Sequence, residues 1–497
     1  MGQHEAMTGQ SPTTEHDGSA RIVDPFDHSP PSRVGRNEVL VAVAAFAALC
    51  VAVLLRPAQL LEPDDYAYRA SIIAITQGHL LSLTNVQYQD LLKQLSSGGG
   101  MGISQWVHMA SGMWISEKNP GYPYLAAPFQ ALGMLRVAPL FYGAIGALGL
   151  FVGARRWLGR WGGTWAVILF CSSGAALAFA WRATMPTFTD ASLIAGGAGA
   201  LLWAMLATQV SERRRALVGL SGFVAMEAAV LVRYTDAVIL AVAVLAALLV
   251  SRRAGLTLRT VAWWLGSVAV MIAGVLCFDQ LAYGSAVKTG YSQGEITFSL
   301  AAVGPNLAHM PGRLVASMPM LLLALGALCW MAVRVLVGRR GGIEPGRRRR
   351  YQRDAVVGAV LGAGWIGIWG LYAAYDWTAQ SAATPGGDIH LIRFYLPALG
   401  LISLLAAWLL ANLPRWAPIV LLAILIGVGA RSYPDLVAGG GGPGGGGGYG
   451  AGIPGSIGGH RVPSGRPGPG GFGGPGGPGG APPAPGGPGG APVPDAP

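Results

Sequence analysis

Glu62-Pro63-Asp64-Asp65-Tyr66 sets two adjacent carboxylates just beyond the first long apolar run, which ends near Arg56. Carboxylates are costly beside hydrocarbon, so an ionisable pair at the mouth of a membrane helix is first examined as a functional site. Two readings fit the pair by itself: solvated loop charges outside a bilayer, or a general base waiting for an acceptor hydroxyl. The elements around it decide between them.

The chain has 497 residues, 52% hydrophobic and only 11% charged, well under the charged share of a soluble protein. Apolar runs long enough to cross a bilayer recur along most of it, which gives an all-α polytopic membrane protein. The expected spans are 38–56, 134–154, 163–182, 188–208, 216–232, 235–251, 260–282, 314–336, 355–375, 391–411 and 415–431, about eleven in all. The stretch 121–154 reads either as one crossing preceded by an interfacial helix or as a broken helix. Residues 1–37 are polar and Pro-containing and read as a disordered tail; 432–497, almost wholly Gly, Pro and Ala from Gly439, reads as another. Cys50, Cys171, Cys277 and Cys329 all fall in apolar runs without metal-ligand spacing, so neither disulfides nor zinc are expected.

The net charge of +11 does not point to nucleic acid, because the arginines collect in alternate loops and no aromatic-basic interleaving accompanies them. Those loops hold Arg155-Arg156, Arg213-Arg214-Arg215, Arg252-Arg253 and Arg339-Arg340 with Arg347 to Arg350. Placing them in the cytoplasm puts the N-terminus inside a plasma membrane and the tail after Arg431 outside. The segment 57–120 is then the first external loop, with an amphipathic helix expected over Tyr66 to Ile75 and a break at Gly98-Gly99-Gly100.

The outer side gathers Asp64 and Asp65, His79, His108, Glu117 and Lys118, Arg182, Asp190, Arg233 and Asp236, Lys288, Asp376, and His390 with Arg393. That side has no ATP or sugar nucleotide, so an enzyme there needs an activated donor carried across on a lipid. Transfer from a lipid-phosphate-linked sugar requires a carboxylate base, cations for the phosphate leaving group and a groove between helices for the tail.

Four stretches resemble the class C (GT-C) integral-membrane glycosyltransferases, the superfamily of the protein O-mannosyltransferases, aminoarabinose transferases and actinobacterial arabinosyl- and mannosyltransferases. They are Pro63-Asp64-Asp65-Tyr66-Ala67-Tyr68, Asn119-Pro120-Gly121-Tyr122-Pro123, Tyr283-Gly284-Ser285 with Thr289-Gly290-Tyr291, and Arg393-Phe394-Tyr395-Leu396-Pro397-Ala398. The resemblance covers about residues 38–431. It implies a GT-C-like transmembrane domain and an inverting transfer from a polyprenyl-phosphate sugar to a lipid, glycan or protein hydroxyl. Asp64 is then the catalytic base and Asp65 its supporting carboxylate.

Arg393 is the expected phosphate ligand, or else an interfacial arginine reaching for lipid headgroups; Lys288 is the second cation and His390 a neighbour that hydrogen-bonds the phosphate or does nothing. Asp190 is either a helix cap or a second carboxylate of the site. A divalent cation between Asp64 and Asp190 stays open, and no metal is committed to. Arg233 and Asp236 read as a local ion pair, and Glu227 as a mid-helix carboxylate that pairs or stays protonated. Membrane lipids are the other expected partners. The competing function is transport or flipping of lipid-linked saccharides, against which stand the absence of an internal repeat and the gathering of polar groups at one face.

Overall fold

The computed structural model describes residues 34–56, 63–96, 105–291, 296–339, 344–382 and 391–438. The chain divides into two compact units, Met1–Gly445 and Gly446–Pro497. The whole second unit, most of the N-terminal tail, Glu62, Gly98-Gly99-Gly100 and His390 lie outside the described residues.

The first unit is helical because hydrocarbon offers backbone groups no partner but one another. α1 (Arg36–Leu54) leads into the first external loop, which holds α2 (Pro63–Thr76), α3 (Asn85–Ser96) and a hairpin of β1 (Trp106–His108) and β2 (Trp114–Ser116). The hairpin is antiparallel with Val107 opposite Ile115. Then follow α4 (Gly121–Ala131), α5 (Ala138–Leu158), α6 (Gly162–Cys171), α7 (Gly174–Ala180), α8 (Thr187–Leu206), α9 (Glu212–Val232), α10 (Ala237–Val250) and α11 (Leu258–Tyr283). The last group is α12 (Val303–Ser317), α13 (Leu321–Arg339), α14 (Pro345–Ala373), α15 (Asp376–Ala382), α16 (Leu399–Ala411) and α17 (Ala417–Ala438).

Among the described residues seven helices are long and apolar enough to cross a membrane, or eight if α6 and α7, bent by 62°, form one span. The bend falls at Ser172-Ser173, where the Ser173 hydroxyl accepts from the Ala176 N–H at 3.0 Å and starts a new helix. Three shorter apolar helices, Tyr234–Val250, Leu396–Ala411 and Ala417–Tyr433, fall on the remaining expected spans. Three starts differ: the span expected from 314 begins at Leu321, because Pro319 ends α12 and Leu314 to Ser317 belong to that helix; the one expected from 355 begins at Pro345; and the one expected from 391 begins at Leu396. The uncertain stretch 121–154 is two helices, the short α4 and the membrane-length α5.

The bundle closes through small residues. A Cβ at Gly149 of α5 would sit 2.4 Å from the Gly196 carbonyl oxygen of α8, so the two backbones touch where only glycine fits. α8 is the most buried of the membrane-length helices of this unit, whereas α11 is almost wholly at the periphery. α2 packs on α4 through an edge-to-face pair of Tyr68 and Tyr122, 6.0 Å between ring centres. The expected amphipathic helix is therefore a packed one, with Tyr68 and Ile72 in the core.

Candidate active site

Adjacent helical residues diverge by about 100°, and α2 uses this to send its two aspartates apart. Asp65 is fully buried, ion-paired with the equally buried Arg182 and accepting a hydrogen bond from the Thr184 hydroxyl at 2.8 Å. Asp64 turns to a small polar opening, its side chain 16% exposed. One carboxylate oxygen lies 3.1 Å from Lys118 Nζ and the other 2.7 Å from Arg393 Nη1.

The four stretches singled out in the sequence converge here, and local sterics explain how. Gly121 lies so close to the end of α9 that a Cβ would approach the Leu231 carbonyl carbon to 2.3 Å, which docks Lys118 and Asn119 beside the bundle. Tyr122, fully buried, donates to the Ala183 carbonyl in the loop that also carries Arg182 and Thr184. Tyr283 donates to the Ser116 carbonyl at 2.9 Å, and Gly290 rests on the backbone of Glu117, where a Cβ would come 2.3 Å from its Cα. Tyr291 is thereby laid against Lys118, which donates to its hydroxyl at 3.4 Å and sits 5.1 Å from its ring centre. Arg393 is held by aromatic faces, 4.8 Å from the ring of Phe394 and 5.4 Å from that of Trp377.

Behind Arg393 lies a second polar layer. Arg233 donates to the Arg393 carbonyl at 2.9 Å and pairs with Asp190 at 3.6 Å, so it reaches beyond the local pairing expected with Asp236. Asp190 and Asp236 are both fully buried and interact with one another. Asp190 thus belongs to this supporting layer and not to the opening. Lys288 is exposed on the turn after α11, and the cation beside Asp64 is Lys118 in its place. His79 lies in the turn after α2, and His108 stacks on Trp114 in the hairpin, 5.0 Å between ring centres. Among the described residues no group of three His, Cys, Asp or Glu side chains could hold a metal ion. The donor set around Asp64 is two cations, which does not fit a divalent ion.

Burial alone would raise the Asp64 carboxyl, but Arg393 and Lys118 outweigh it and hold the group well below the usual carboxylate range. Burial likewise opposes the Lys118 charge, yet Asp64, Tyr68 and Glu117 outweigh it and hold the ammonium above its ordinary value. The Tyr291 hydroxyl is raised, first by burial and then by Asp64 and Glu117. At neutral pH the opening therefore holds a carboxylate between two cations.

Near this site an apolar groove of about 1090 Å³ runs between α4, α9 and α11; Asp64 and Arg393 do not line it. Pro120, Tyr124 and Phe278 line both the groove and the small cavity that contains Lys118. The groove continues to Arg259 at the other end of α11, about 28 Å along the helix axis from Phe278. Glu227 lines it, accepting from the Ser267 hydroxyl at 2.7 Å.

No protein-family model matches the chain, and no curated protein sequence matches it. Among solved structures it is similar to ArnT from Cupriavidus metallidurans bound to undecaprenyl phosphate, at 16% identity and TM-score 0.49, over 80% of this chain and 64% of that one. It is also similar to the oligosaccharyltransferase of Archaeoglobus fulgidus in the apo form, at 11% identity and TM-score 0.47, over 81% of this chain and 55% of that one. The chain spans under two thirds of the length of each.

Proposed function

We propose that the chain is a GT-C glycosyltransferase that moves a sugar from a polyprenyl-phosphate donor to an acceptor hydroxyl on the outer face of the plasma membrane, with its N-terminus cytoplasmic. The observation that carries this reading is the Asp64 carboxylate bridged by Lys118 and Arg393, with Lys118 lining a small cavity that shares Pro120, Tyr124 and Phe278 with a membrane-length apolar groove.

Two cations fixed 3.1 and 2.7 Å from one anionic group make a mount for a phosphate. In this arrangement the Asp64 carboxylate lies between the two cations. When the donor phosphate arrives, Lys118 and Arg393 turn to it and Asp64 loses the charges that kept it a weak base. Asp64 then accepts the proton of the acceptor hydroxyl as its oxygen bonds the anomeric carbon from the face opposite the phosphate. The anomeric carbon–oxygen bond breaks, its electron pair leaves on the polyprenyl phosphate, and the configuration inverts. Asp65 positions α2 through Arg182 and touches no reacting atom. The groove between α4, α9 and α11 takes the prenyl tail.

The test is transfer by the purified protein from synthetic polyprenyl-phosphate sugars to extracted envelope acceptors. Asp64→Asn is expected to lower kcat by about 10²–10⁴-fold, the range of a lost general base. Full activity in that variant would remove the base from the scheme.

A further inference from the structure

The far end of the bundle carries a separate cavity of about 470 Å³, between the last turns of α10 and α13 and the first turns of α14. Four arginines line it: Arg253 in the turn after α10, Arg339 at the end of α13, and Arg348 and Arg353 of α14. Its inner wall is apolar, with Val250, Val335 and Val356. α14 separates it from the Asp64 opening. Tyr372, at the other end of that helix, lies 5.0 Å from the ring of Phe394, and 19 residues of helix from Arg353 span about 28 Å.

Arginines at helix ends orient a membrane protein by being on one side of it, and that role places no demand on where each one points. Four arginines lining one void are a further feature, and gathering like charges there costs mutual repulsion. Among the described residues Arg253, Arg339 and Arg348 pair with no carboxylate. Asp354, next to Arg353, is already committed: Arg353 donates to it at 2.8 Å, and the indoles of Trp157 and Trp408 donate at 3.0 and 3.1 Å. The cavity thus has an excess of fork-shaped donors suited to phosphate above an apolar wall suited to acyl chain.

We propose that this cavity binds the phosphate headgroup of an anionic phospholipid, with the first part of its acyl chains against Val250, Val335 and Val356. The lipid ties α10 and α13 to α14, whose register is set independently by the Asp354 clasp. This site does not depend on the transferase reading.

The experiment is native mass spectrometry of the full chain released from nanodiscs of phosphatidylcholine with a minor share of phosphatidylglycerol. Wild type is expected to retain phosphatidylglycerol over phosphatidylcholine. The variant Arg253→Gln/Arg339→Gln/Arg348→Gln is expected to retain about tenfold less, as charged hydrogen bonds are lost; Arg353 is kept because it holds Asp354. A control, Arg213→Gln/Arg214→Gln/Arg252→Gln, removes equal charge outside the cavity and should retain the lipid. Equal retention in the cavity variant, or equal loss in the control, overturns the proposal. So does displacement of the lipid by millimolar inorganic phosphate alone, which would make the ligand a free anion. Arg348→Gln by itself, in the exposed first turn of α14, gives a partial loss should the triple variant fail to fold.

Discussion

The role proposed for Asp64 makes its protonation state readable from pH. The free protein's carboxyl is held below the ordinary range by Arg393 and Lys118 against the opposing effect of burial. A base is active when deprotonated, so activity falls as pH drops through its pKa. The acid limb of kcat/KM reports the free protein and is expected below the usual carboxylate range, whereas that of kcat reports the donor complex and is expected at higher pH. Coincident limbs would mean that the cations stay with Asp64 during turnover. Asp65 calls for the opposite kind of test. Asp65→Asn replaces the carboxylate facing the buried Arg182 guanidinium with a neutral amide, so it is expected to cost about 3–5 kcal/mol of stability. A fall in thermal unfolding temperature, with kcat of the folded fraction largely kept, would separate it from Asp64→Asn. The aspartate pair itself was legible from its place after an apolar run. Which of the two faces the opening was not, because that depends on the rotation of α2 against α4. Lys118 was visible only as one of many outer charges; nothing in the local sequence ties it to Asp64 until Gly121 and Gly290 fix the backbone around it.

The elements that hold the site meet at close backbone contacts, and these make a second prediction. Gly290→Ala places a methyl 2.3 Å from the Glu117 Cα, a neighbour that has no side-chain torsion with which to yield. The strand-like segment before α4 and the turn after α11 must separate, which withdraws Tyr291 from Lys118. KM for the donor is expected to rise about tenfold or more, the effect of losing about 1–3 kcal/mol to overpacking. An unchanged KM would show that Tyr291 does not steady the cation. Hydrophobic periodicity located apolar helices because each must present apolar residues to lipid or core; of the eleven expected spans, seven are helices long enough to cross, an eighth is the bent pair and three are shorter. It could not show the bend at Ser172-Ser173 or the hairpin of Trp106–His108 with Trp114–Ser116. The first turns on a single side-chain cap and the second on cross-strand pairing, and neither leaves a long periodic signal.

At the scale of the whole molecule, the groove sets how a membrane-bound donor would reach the polar opening. α11 is peripheral and exposes apolar side chains such as Val270 and Trp263, so one wall of the groove is a helix with little protein around it. A tail entering beside it has about 28 Å of apolar wall from Phe278 to Arg259, close to the thickness of a hydrocarbon core. Gly266 and Gly274 line this wall two turns apart, and a Cβ at either meets nothing within 4 Å. Gly274→Trp therefore fills the groove without disturbing the packing behind it. If the tail lies there, the variant loses activity with long polyprenyl donors and keeps it with a donor whose chain is too short to reach Gly274. Measuring kcat/KM across a series of chain lengths checks this, with wild type expected to improve as the chain grows and then level off. Equal losses with short and long donors would place the tail elsewhere, and the link between the polar opening and the groove would have to be redrawn.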